Sequence, residues 1–150
     1  MVRTPNVVMD EETVDRLRNA VMRIGRWLRT ASADEGLTTT QSGVLATLVR
    51  EGPMRAGDLA EAEAINPTLL SRVLGHLEEA GLATRGADPE DARCTLVAAT
   101  AAGARLLGRL RARRAALLAA GLERMSADRV AVLREALPAL EDLMREGERR

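Results

Sequence analysis

The stretch NPTLLSRVLGHLEEAGLATRGADPEDARCTL carries polar and cationic side chains at spacings suited to holding a polyanion. Thr68, Ser71, Arg72 and His76 recur at helical steps, so they share one face of a helix opened by Asn66 and Pro67. The start of such a helix, Pro67, Thr68, Leu69, Ser71 and Arg72, is the part that can be laid against base edges. The Thr68 and Ser71 hydroxyls can bond phosphates or bases, and Leu69 can touch a thymine methyl. Arg72 can fork onto guanine or clamp a phosphate. His76 lies one turn beyond Arg72, where it either meets a phosphate or stays exposed; position alone favours neither. Downstream, Asp91 and Arg93 flank a single residue near a tight turn. Away from such a context they would form a surface ion pair worth about 0–1 kcal/mol, and Arg72 would belong to a solvated helix face. The order of the surrounding elements favours contact instead.

Other chemistries are poorly supplied. The chain has one His, one Cys and no Tyr, and it lacks a glycine-rich phosphate loop. No nucleophile–base set can be assembled, so catalysis is not expected. With only Cys94 and His76 available, neither a structural zinc site nor any cofactor is expected. Cys94 cannot form an internal disulfide and reads as a small strand side chain. There is no apolar run of transmembrane length, and no secretory leader is expected, since the first residues lack a long apolar stretch. With the single cysteine, this predicts a cytoplasmic protein that does not associate with membranes.

All 22 basic residues are Arg, balanced by 22 acidic residues, for a formal net charge of +0. Any cationic contact must therefore use the planar guanidinium fork. Neutrality does not exclude a nucleic-acid partner, because binding follows local potential rather than total charge. Arg55, Arg72, Arg85 and Arg93 are expected to share one face. Trp27 is the only aromatic residue and reads either as a pocket border or as an interface residue. Met9, Met22, Met54, Met125 and Met144 could line an adaptable pocket but read more readily as core filler.

The positioning elements follow from periodicity. Asp10 and Glu11 open a helix with an apolar seam at Val14, Leu17, Val21, Ile24 and Leu28, ending near Asp34 to Gly36. Thr38 and Gln41 have capping-box spacing, and Val44, Leu45, Leu48 and Val49 form the next core stripe. Gly52-Pro53 stops that helix. A short helix around Leu59 and Ala60 then exits at Glu63-Ala64 without a glycine. Leu70, Val73, Leu74 and Leu77 anchor the reading helix, and Gly81 ends it. Leu82–Arg85 and Thr95–Ala98 are strand candidates joined by a turn at Pro89. Thr100 caps a long helix. A last helix from Ser126 repeats the seam at Val130, Leu133, Leu137, Leu140 and Met144, with Pro138 predicted to kink it or locally break its hydrogen bonding. The fold expected is mainly α with a small β-wing: a winged helix-turn-helix with N- and C-terminal dimerisation helices. Two seams outside a central module favour a homodimer, with reading helices about one DNA turn, ~34 Å, apart.

From about Leu37 to Leu107 the chain resembles MarR-family transcriptional regulators. The resemblance rests on the Ser71-Arg72 step, the LEEAGL ending, the DPEDAR wing and Thr100-x-x-Gly103, in that order and spacing. It implies one domain over 1–150, with the winged helix-turn-helix at about 37–99 and dimerisation helices at 10–33 and 100–148. It further implies a repressor on a pseudo-palindromic double-stranded operator, released by a small aromatic or lipophilic effector. At the wing it implies that the Asp91 carboxylate holds the Arg93 side chain while its guanidinium enters the minor groove. This sequence departs from the family pattern at Ala92, Gly75, His76 and Ala64. Ala92 and the neutral charge support an alternative, a winged-helix protein-interaction adaptor with weak or no DNA binding.

Overall fold

The computed structural model describes residues 9–30, 36–91 and 93–148. Their order is α1 (Glu11–Thr30), α2 (Thr39–Glu51), β1 (Met54–Arg55), α3 (Ala56–Ala62), α4 (Pro67–Glu79), β2 (Ala83–Ala87), β3 (Thr95–Ala99), α5 (Ala101–Glu123) and α6 (Ala127–Glu148). The expected end of the first helix falls mostly on residues outside this description, as does Ala92. The chain divides into one compact unit through Arg114 and a second from Ala115 to Arg150. No helix among the described residues is long and apolar enough to cross a membrane.

The first unit is built as local chemistry dictates. Asp10 caps α1 by accepting the Thr13 N–H at 2.8 Å, and that bond draws its carboxyl below the usual range. At α2 both arms of the capping box form: the Thr38 hydroxyl accepts the Gln41 N–H at 3.2 Å, and the Gln41 amide oxygen accepts the Thr38 N–H at 2.8 Å. Asn66 caps α4 by accepting the Leu69 N–H at 2.8 Å, with Pro67 in the first turn. Gly81, at φ 69°, ends α4 while the Leu82 N–H reaches back to the Leu77 carbonyl at 2.8 Å.

The helices α2, α3, α4 and α5 turn an apolar face to a common centre. Leu45, Leu48, Leu59, Leu74, Leu77, Val97 and Leu110 are fully buried there. Each such side chain contributes about 1.5–3 kcal/mol of transfer free energy. Val49, expected in the α2 stripe, is only half-buried; Thr47 is buried instead and donates its hydroxyl to the Glu63 carboxylate. The sheet has three antiparallel strands in the order β1-β3-β2, with Met54 opposite Val97 and Arg85 also opposite Val97 on the other side. Sequence periodicity misses β1, because two residues are too short to show a period of two.

Helix α1 has no buried residue: Val14, Val21 and Ile24 of its seam are exposed. In the second unit, α6 leaves Leu133, Leu137 and Met144 of its own seam exposed. That helix runs through Pro138, which lies in its interior. Met9, Met22 and Met125 are exposed like Met144, so of these five methionines only Met54 fits the reading as core filler, packing against the core.

Candidate nucleic-acid interface

The outer face of α4 holds Pro67, Thr68, Ser71, Arg72 and His76, all exposed, with Leu69 half-buried at its edge. Leu70, Val73, Leu74 and Leu77 turn inward at no more than 5% exposure, which fixes the helix by one face and leaves the other open. His76 sits 3.9 Å from the Glu79 carboxylate on the same helix, an exposed contact that does not commit its ring to any other partner.

The wing is held by three carboxylates, and their roles differ from expectation. Asp91 does not grip the Arg93 guanidinium. Its Oδ1 accepts the Arg93 backbone N–H at 3.0 Å, and its Oδ2 lies 3.5 Å from the Cys94 sulfur. The carboxylate therefore shapes the turn through the main chain, as Asp residues do when they cap local N–H groups. The Arg93 side chain is exposed and makes no ion pair among the described residues. Cys94 lies just before β3, and the Asp91 hydrogen bond, then burial, pushes its thiol pKa up. A raised thiol pKa lowers the fraction present as thiolate.

The second carboxylate, Asp88, is the residue that sequence reading missed. It is buried at 7% exposure, accepts the Glu90 N–H at 2.9 Å, and takes the Arg55 guanidinium at 2.7 Å from Nη2 and 2.8 Å from Nε. The backbone bond from Glu90 and the Arg55 contact hold its carboxyl below the usual range. The third, Glu78 of α4, receives Arg85 Nε at 3.0 Å. Arg55 and Arg85 are each held in an ion pair, with Asp88 and Glu78, and stay partly exposed, while Arg72 and Arg93 have no ion-pair partner among the described residues.

The base of the wing is tied to the end of α4. Thr100 donates its N–H to the Leu82 carbonyl at 2.9 Å and its hydroxyl to the Gly81 carbonyl at 2.7 Å. The same hydroxyl accepts the Gly103 N–H at 3.1 Å, capping α5. Away from this surface, α1, α2 and α5 enclose a cleft of about 410 Å³ lined by Leu28, Arg29, Ser42, Ala46, Leu107 and Arg111 among others. Trp27 does not line it; that ring is 42% exposed.

The sequence model described as "MarR family" matches residues 37–95. An uncharacterized HTH-type transcriptional regulator of Mycobacterium leprae is 32% identical over 92% of this chain and 96% of its own length. A solved protein of Pseudomonas aeruginosa, assigned as a transcriptional regulator, is 30% identical and superposes with a TM-score of 0.80 over 89% of this chain and 94% of that one. A solved mutant of MarR from E. coli shares the fold at a TM-score of 0.72 and 23% identity, over 90% of this chain and 98% of that one.

Proposed function

The chain belongs to the MarR family and is a DNA-binding transcriptional regulator, and from that premise we propose that it acts as a homodimeric repressor on a pseudo-palindromic operator. In this reading Pro67, Thr68, Leu69, Ser71 and Arg72 face base edges and phosphates of the major groove, and His76 meets a phosphate at the rim. Arg93 enters the adjacent minor groove, where a narrow groove concentrates negative potential. Asp91 presents Arg93 by fixing the turn. The observation that carries the reading is the division of labour among the arginines: Arg72 and Arg93 are exposed and unpaired among the described residues, whereas Arg55 and Arg85 are tied to buried or half-buried carboxylates. An effector of the small aromatic acid class suits the cleft of α1, α2 and α5, whose lining mixes Leu28 and Leu107 with Arg29 and Arg111.

The test is binding to DNA from the protein's own upstream region, followed by fluorescence polarisation across a salt series. Wild type binds and weakens steeply with salt. Arg72→Ala loses about 1–3 kcal/mol, the range for one forked base contact. Arg93→Ala weakens operator binding while the dimer stays folded, and reduces the salt slope by about one for each contact removed. An affinity that is flat with salt, or unchanged in Arg93→Ala, rejects this assignment and favours the protein-interaction adaptor.

A further inference from the structure

We propose that Arg85 is a positioning residue for DNA recognition: it locks the wing to the reading helix so that both meet the duplex in a fixed relation. The proposal rests on the DNA-binding reading above, but it assigns Arg85 no contact with DNA. Arg85 stands in the middle of β2, the strand that leads into the wing. Its guanidinium reaches across to α4 at two heights. Nε lies 3.0 Å from Glu78 Oε2, and Nη2 donates to the Ser71 carbonyl at 3.3 Å. Those two residues are seven apart, or two turns of α4, a span shortened because helical side chains tilt toward the helix start. The guanidinium is about one-third exposed, as is Glu78, so solvent weakens the pair without abolishing it.

The placement matters because of what lies at each end. Ser71 is the neighbour of Arg72 on the reading face. Three residues beyond Arg85, Asp88 is clamped by Arg55 of β1, and the wing turn with Arg93 starts there. Reading helix, Arg85, β2, Asp88 and Arg55 therefore form one connected path of hydrogen bonds and strand. A planar fork can hold a carbonyl and a carboxylate at once; an ammonium is a point charge that reproduces the charge but not the bridge.

A strut and a direct phosphate contact predict opposite results, and three variants separate them. Operator and random-sequence DNA are each titrated with Arg85→Lys, Glu78→Gln and the double variant, with circular dichroism and light scattering confirming folded protein of unchanged size. The strut predicts that Arg85→Lys and Glu78→Gln each lower the operator-to-random affinity ratio by about tenfold, the scale of one coupled side-chain pair. The double variant should then lose no more than either single change. The Glu78→Gln result is the sharpest, since removing an acidic charge by itself tightens binding to DNA. If Arg85 instead touches a phosphate, Arg85→Lys keeps the ratio and Glu78→Gln raises affinity for both DNAs; that outcome overturns the proposal. An equal loss on operator and random DNA marks a merely structural role and overturns it as well. Wild type binding neither DNA rejects the functional reading itself, whereas wild type binding with all ratios unchanged rejects only the strut.

Discussion

At the scale of single residues, the sequence exposes a side chain's type but not the group it meets. Asp91 and Arg93 are close in sequence, and their spacing is equally compatible with a carboxylate on a guanidinium or on a backbone N–H. The folded turn selects the backbone. Asp88 was illegible for a related reason: its partner Arg55 lies 33 residues away, beyond the reach of any local pattern. Gly103 shows the same limit and yields a sharp prediction. The Thr100-x-x-Gly103 spacing suggests a capped helix, but not what the glycine faces. A Cβ at Gly103 would stand 2.2 Å from the Leu82 carbonyl oxygen and 3.0 Å from Leu45 Cδ1. In an open helix, Gly→Ala would stabilise by about 0.5–1 kcal/mol. Here the backbone of the wing base blocks the methyl, so Gly103→Ala is expected to destabilise by about 1–3 kcal/mol through overpacking. A urea unfolding midpoint equal to or above that of wild type would refute the close approach.

At the scale of elements, caps and apolar stripes were legible where they are local. Asp10, Thr38 and Asn66 announce their helices, and the bonds they predict are formed. The turn between α3 and α4 is the exception. A helix that ends without Gly or Asn suggests a loose exit, yet Ala64 takes φ 51° while the Ile65 N–H returns to the Ala60 carbonyl at 3.0 Å. The turn thus keeps the geometry that glycine usually supplies, in a residue that carries a Cβ. A left-handed Ala costs about 1–2 kcal/mol relative to Gly in that conformation. Against this, Gly adds about 0.4–1 kcal/mol of unfolded-state entropy. Ala64→Gly should therefore stabilise the fold slightly, by up to about 1.6 kcal/mol. Thermal and urea unfolding of the variant check the sign, and a lowered midpoint would mean that the strain is relieved elsewhere. Strand β1 was illegible because two residues have no pattern, although it supplies Arg55 to the wing.

At the scale of the whole molecule, neutral net charge and exposed seams have to be explained together. The 22 arginines are not a uniform field: some build the fold, and Arg72 and Arg93 remain exposed without an ion-pair partner among the described residues. One such set of contacts is small for specific binding, and a two-fold partner doubles it on adjacent half-sites. The apolar residues point the same way. Val14, Val21 and Ile24 of α1 are about half exposed, as is Leu137 of α6, at the three-four spacing that a partner helix covers. A charge at an exposed position of a monomer changes stability by about 0.5 kcal/mol or less. Buried at a helix–helix seam, an unpaired carboxylate is costly enough to separate the subunits. Leu137→Glu is therefore expected to convert a particle of twice the 16.2 kDa chain mass into one of single mass at micromolar concentration. Operator affinity should fall with it, because each half-site must then be bound independently. Light scattering and polarisation on the same samples test both steps. A wild-type protein of single mass would remove the dimer, and a dimeric Leu137→Glu would move its seam to another face of α6.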